Sequence, residues 1–237
     1  MKIRFCSLLS FLGAVSVVAA LSACDSSDSA GADSNDPATP NQGNVVSKNK
    51  GSEYDPVTGI LTDLRDNQTY RTVKIGDQIW MAENLRFEYF TQNEGNPCYG
   101  NDPANCEKYG RLYKVYNASV VCPKGWHIPD TTEFGILYDK ADAMPERVKS
   151  ALSSAEGWDD FEGKSLNGTD AFGFSLLPGG YKCESRGYLE EGAGTMLLIN
   201  QPTLDFESYF VEVFRYFTSG LVIQKAECYA YARCLKD

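Results

Sequence analysis

From about Glu53 to Asp237 the sequence predicts an α+β fold, and three observations carry that prediction. An alternating run broken by a two-residue turn marks an antiparallel hairpin. A capped stretch with apolar residues on one helical face marks a helix. Six cysteines spread over this stretch mark a domain held by disulfides. At near 185 residues it is long enough for one domain with its own core. No internal repeat, coiled coil or second domain is evident.

The elements follow in order. GILTDLRDNQTYRTVKIGDQIWMAENL, residues 59 to 85, reads as strands. Arg65 to Gln68 is a turn, and Tyr70, Thr72 and Lys74 then alternate with Arg71, Val73 and Ile75. Gly76-Asp77 places glycine first, as a type II′ hairpin turn requires, and Ile79 and Trp80 open the next strand. Trp80 and Leu85 are core candidates. Residues 93 to 118 read as a loop closing on a strand. In it Cys98 and Cys106 bracket CYGNDPANC, whose Asn, Asp, Pro and Gly are turn formers, so these two cysteines are natural local partners. In RLYKVYNA, Leu112, Lys114 and Tyr116 alternate with Tyr113, Val115 and Asn117. Asp130 and Glu133 fit a capping box, and Phe134, Leu137, Tyr138 and Ala141 form one helical face. A second helix is expected from Pro145 through Leu152, with Val148, Ala151 and Leu152 inward. Residues 157 to 183 form a long glycine-rich loop, expected to be pinned by Trp158, Phe161, Phe172 and Phe174. The remainder alternates and ends in strands.

The start of the chain speaks to location. Lys2 and Arg4 precede the apolar run Cys6 to Leu21, too short for a comfortable membrane span and flanked as a secretion signal is. Leu21-Ser22-Ala23-Cys24 resembles the bacterial lipoprotein cleavage box. That resemblance implies a signal peptide over 1–23 and acyl chains, palmitate among them, on Cys24. Residues 24–52 are rich in Ser, Asp, Asn, Gly and Pro, and read as a disordered tether. The partner implied is the membrane, through the anchor. Asp25 does not by itself choose between inner and outer membrane; the outer membrane is the expectation. The net charge of −10 becomes −12 once Lys2 and Arg4 leave, which argues against nucleic acid and suits neutral sugars, cations or basic partners.

Of eight cysteines, Cys6 leaves with the signal and Cys24 is the lipid site, so Cys98, Cys106, Cys122, Cys183, Cys228 and Cys234 remain. Six cysteines allow 15 pairings, and the sequence alone does not choose among them. No CxxC pair is present and there is one histidine, so zinc ligation is not expected.

VKIGDQIWMAENL, YGRLYKVYNA, CPKGWHIPDTTEF, GWDDFEGKSLNGTDAFGFSLLPGGY and the terminal ARCLKD occur in that order. Together they resemble the Fibrobacter succinogenes major paralogous domain family, across about Thr72 to Asp237. The family is mostly of unknown function and is found on exported proteins and lipoproteins. The resemblance implies a C-type-lectin-like fold: two short helices on small antiparallel sheets, chain ends close together, long loops on one side. It also implies that Cys122 pairs with Cys234; on that pairing Cys183 goes with Cys228. After Gly179-Gly180-Tyr181 the chain departs from the family pattern, reading CESRGYLEEGAGTMLLINQPT with no Trp.

Two chemistries compete. Cys122 and His127, five residues apart, would make a nucleophile and base only if the fold brought them into hydrogen-bond reach with an orienting group. The family pattern favours a disulfide for Cys122 and a packing role for His127. The formylglycine-generating enzymes, kin by fold, use a reactive cysteine pair with copper, and no matching pair is recognisable here. The alternative is binding. Trp158, Asp159, Asp160, Asn167, Asp170 and Tyr181 form the candidate ligand set, with Glu162 completing an acidic loop. Several carboxylates in a glycine-rich loop would suit calcium, although the spacing fits no EF-hand. Tyr99, Tyr109, Tyr181 and Tyr188 lie in or beside loops, where rings stack on sugars. The expectation is a non-enzymatic, lectin-like module with no obligatory cofactor, binding a polysaccharide or envelope proteins. The alternatives are a structural scaffold and a thiol enzyme.

Overall fold

The computed structural model describes residues 51–90, 95–143, 147–200, 208–214, 221–224 and 227–237. The expected signal peptide, Cys24, nearly all of the tether and Pro145 lie outside them.

Four strands open the domain: β1 Ser52–Asp55, β2 Ile60–Asp63, β3 Gln68–Ile75 and β4 Gln78–Met81. Each pairs antiparallel with the next. Gly76 takes φ +61° between β3 and β4, the left-handed value the expected hairpin turn requires. The segment after Cys98 is more regular than a loop. A single 3₁₀ turn, Tyr99–Asn101, leads into α1, Pro103–Tyr109. Asp102 caps α1 by accepting from the Ala104 N–H at 2.9 Å, and Pro103 sits where its missing N–H costs nothing. Asp-Pro was thus a helix start as well as a turn signal. Strand β5 covers only Leu112–Lys114. The alternation read through Ala118 stops there, in a 3₁₀ turn at Val115–Asn117 and α2, Ala118–Val121, which buries Ala118 and Val121.

Next come β6 Trp126–His127, α3 Thr131–Asp142 and α4 Arg147–Leu152. Helix α3 starts on the capping box read from Asp130 and Glu133 and buries Phe134, Leu137 and Ala141. The long loop leads to β7 Gly179–Cys183, β8 Gly187–Glu191, β9 Gly194–Ile199, β10 Ser208–Phe214, β11 Leu221–Gln224, β12 Cys228–Tyr231 and β13 Leu235–Lys236.

These strands make two sheets in an α+β domain. The first runs β1-β2-β3-β4-β13-β6, and the second runs β11-β10-β9-β12-β7-β8 with β5 also on β12. Every residue of β9 is buried, in keeping with the unbroken apolar run Met196 to Ile199 that follows Thr195. Met196 and Leu198 join one core cluster with Tyr70, Met81, Tyr113 and Trp126. Leu197 and Ile199 join the other with Ile75, Trp80, Phe134, Leu137 and Phe174. The Trp80 ring meets Phe134 and Phe174 edge-on, centroids 6.4 and 5.8 Å away.

The end of the chain closes the domain. Leu235 pairs with Trp80 on one side and His127 on the other. Cys234 is disulfide-bonded to Cys122, Cys98 to Cys106, and Cys183 to Cys228. Arg233 is 1% exposed. Its Nε donates to Asn84 Oδ1 at 2.8 Å, its Nη2 to Ser175 O at 2.8 Å, and its Nη1 to Phe174 O. One side chain therefore ties the long loop to β13. The first strand and the last residue meet at one turn, where Ser52 Oγ donates to Lys124 O and the Asp237 N–H to Gly125 O.

Candidate functional site

The fold decides the roles of Cys122 and His127. Cys122 is spent in its disulfide. His127 Nδ1 lies 2.6 Å from Asp237 Oδ1, and Nε2 lies 2.9 Å from Glu133 Oε1. Burial works against a proton on this ring, but the hydrogen bonds to Asp237 and Glu133 outweigh it and hold the pKa above the ordinary histidine value. The imidazole thus joins the last residue to the first turn of α3.

The candidate ligand set of the long loop does not come together as a surface. Trp158 is 4% exposed; its ring lies inside, and its Nε1 donates to Ser154 Oγ at 3.1 Å. Tyr181 is equally buried, in the first core cluster. Neither ring can face a sugar, a correction whose cause is that an aromatic in a loop lowers its free energy most by filling the core beneath it. Tyr109 is buried for the same reason. Asn167 Oδ1 accepts from the Trp158 N–H at 3.0 Å, and Asp170 accepts from the Ser175 N–H and Oγ, so both brace the loop. The carboxylate of Asp159 packs over Gly192, and Asp160 is exposed. Among the described residues no three His, Cys, Asp or Glu side chains form a group that could hold a metal ion.

A cleft of about 410 Å³ opens elsewhere, lined by Glu88, Phe90, Gly95, Asn96, Pro97, Arg111, Lys182 and Tyr229. Its floor is built by strand register. Tyr229 of β12 stands opposite Lys114 of β5 and opposite Lys182 of β7, and Lys182 stands opposite Tyr188 of β8. Cross-strand neighbours share a face, so four strands present the row Lys114, Tyr229, Lys182, Tyr188. The Lys182 ammonium sits 4.6 Å from the Tyr229 ring centroid and 5.7 Å from that of Tyr188. Lys114 lies 5.0 Å from Tyr229 and is bound to Glu184 Oε1 at 2.9 Å, an oxygen that also accepts from Tyr229 Oη at 2.9 Å. Those hydrogen bonds, from Lys114 first, pull the Glu184 carboxyl below its ordinary pKa. Burial, with Glu184 adding to it, pushes the Tyr229 phenol up to about 12. Arg111 is held by Glu88 at 3.0 Å and by the carbonyls of Asn96 and Arg86. Phe90, 67% exposed, stands at the wall, and Tyr116, 58% exposed, lies beside Lys114. Tyr188 packs on Tyr99, centroids 5.1 Å apart, and donates to Asn101 Oδ1 at 2.7 Å.

A family model described as the Fibrobacter succinogenes major domain matches residues 73–236. The chain belongs to the Fibrobacter succinogenes major domain family. No curated protein and no solved structure matches it. The match begins inside β3, so β1 and β2 precede this Fibrobacter succinogenes major domain while pairing with its sheet. Inside the domain, the pieces that carry the resemblance serve the scaffold. Asn84 accepts from Arg233 and donates to Tyr109 O, and Gly110 lies so close to Asn84 that a Cβ there would come within 2.7 Å. Gly179 and Gly180 have no room for a side chain against Tyr231 and Leu189 O.

The cleft of this major domain uses residues the sequence reading did not single out as a site: Phe90, Arg111, Lys182 and Tyr229, with Lys114 beside Tyr229 on the same face. One signal could have found two of them. If Cys183 and Cys228 bond across neighbouring antiparallel strands, then 182 and 229 must also stand opposite each other, on the other face. Of the tyrosines read as sugar-stacking candidates, Tyr188 ends this row with Tyr99 packed on it, and neither lines the cleft.

Proposed function

We propose that this chain is an exported, lipid-anchored envelope protein whose folded domain binds a polysaccharide in the cleft beside Lys182 and Tyr229. The observation that carries the reading is the cleft itself. It falls within the roughly 300–1,000 Å³ of small-ligand sites. Two of the exposed large apolar side chains, Phe90 and Tyr116, stand on it or beside its floor. Exposed rings beside fixed polar groups are what a sugar stacks on and bonds to. A C-type-lectin-like fold is part of the proposal, supported by two small antiparallel sheets, short helices, a first strand and last residue that meet at one turn, and a long loop before β7.

Binding suits the site better than thiol catalysis, because Cys122 is bonded and both nitrogens of His127 face carboxylates. Binding is read as independent of calcium, because Asn167 and Asp170 serve the loop's own backbone. The lipid anchor rests on the cleavage-box resemblance at Cys24, and the outer membrane is the membrane proposed.

The test is a glycan array probed with the full chain in detergent, with calcium and with chelator. Binding that survives chelation and weakens in Phe90→Ala supports the proposal. Silence across the array in both conditions would move the assignment to a scaffold role. Separately, Cys24→Ser should leave the membrane fraction; a variant that fractionates like the parent removes the anchor.

A further inference from the structure

We infer that the sugar bound in the cleft carries an anionic group, a carboxylate or a sulfate, and that Lys182 receives it; this rests on the polysaccharide-binding reading above. The argument is a census of charge at the cleft. Arg111 is matched by Glu88, and Lys114 by Glu184. Among the described residues Lys182 makes no ion pair, and Glu184, the carboxylate it influences, is already occupied by Lys114 and the Tyr229 hydroxyl. Lys182 is held instead over two rings.

An aromatic face attracts a cation without taking up its hydrogen bonds as a carboxylate would, so the Lys182 Nζ keeps its capacity to donate. The register fixes where that charge stands, since Tyr229 and Tyr188 flank Lys182 in the same row. The chain is otherwise acidic, with net charge −10, so a cleft whose floor carries a cation without an ion-pair partner among the described residues runs against the average surface. A neutral sugar would leave that charge unanswered. A uronate or sulfated ring would answer it while placing its C–H face on Phe90.

The experiment measures affinity of the full chain in detergent for three oligosaccharides of equal length: a galacturonate, a sulfated galactan and a neutral galactan. Binding of either anionic probe should exceed that of the neutral one, and the stronger arm identifies the group. Raising salt should weaken it, since exposed charges are screened over about 8 Å at physiological ionic strength. Lys182→Met should lose about tenfold to a hundredfold of that affinity, the range of a charged hydrogen bond, while Lys182→Arg retains most of it. Equal binding of neutral and anionic probes, unchanged in Lys182→Met, overturns this inference and leaves the polysaccharide reading standing. Failure to bind any of a wide set of sugars overturns both.

Discussion

Replacing Arg233 by Met keeps the bulk of the side chain and removes the guanidinium. Three acceptors then lose their donor: Asn84 Oδ1, Phe174 O and Ser175 O. Asn84 cannot turn to compensate, because its Nδ2 is bound to Tyr109 O at 2.7 Å. Each buried acceptor left alone costs about 1–3 kcal/mol. Part of that is offset because the buried cation itself was expensive; burial pulls it down to about 9, still protonated at neutral pH. The net cost is about 3–5 kcal/mol, as for other broken buried charge networks. That is a large share of the roughly 5–15 kcal/mol holding a domain together. At about 2–4 °C per kcal/mol for this size, Tm should fall by about 6–20 °C. Arg233→Lys keeps the charge but not the fork, and should fall between. The assay is thermal unfolding paired with limited proteolysis, because Phe174 and Ser175 belong to the long loop and cleavage there should accelerate first. An Arg233→Met protein that melts with the parent and resists protease equally would refute the idea that this side chain fastens the loop.

Two further outcomes are expected. Losing Cys122–Cys234, which spans 112 residues, should cost about 5 kcal/mol in the chain-entropy treatment, against about 2.5 for Cys98–Cys106, which spans 8; denaturant midpoints of the paired Cys→Ser variants should fall in that order, and the reverse order would count against it. His127 has a raised pKa in the folded state, so its stabilising contribution is fully present below the unfolded value near 6.5 and is lost as pH rises through the folded one. His127→Gln should flatten the fall of stability above that range, and an unchanged pH profile would show that the ring does not couple to Asp237 and Glu133.

What could be read in the sequence was whatever is local. The hairpin turn at Gly76 and the cap at Asp130 each depend on a few adjacent residues, and both stand where they were read. The α1 helix was missed because Asp102-Pro103 has two meanings, and a turn former and a helix cap are the same side chain. The cleft was missed for a different reason. Lys114, Lys182 and Tyr229 lie far apart in the chain, and only register across β5, β12 and β7 makes them neighbours. Trp158 and Tyr181 show the converse: their positions in a loop and beside it suggested surface, but an apolar ring with core beneath it goes inward. The family motifs are legible because they build the scaffold, through Asn84, Gly110, Gly180 and Arg233, and for that reason they name no ligand.

The meeting of Ser52 and Asp237 at the Lys124–Gly125 turn has a mechanical consequence. Tension applied between those two residues does not meet the sheet symmetrically. At the far end, Cys234 is covalently tied to Cys122, so only the last three residues can give way before a disulfide takes the strain. At the near end, β1 is an outermost strand paired only with β2, and its ladder would open one rung at a time, a geometry that yields at low force. The meander would pay out first, β1 then β2, as a compliant leader that absorbs a tug while the strands carrying the cleft keep their register.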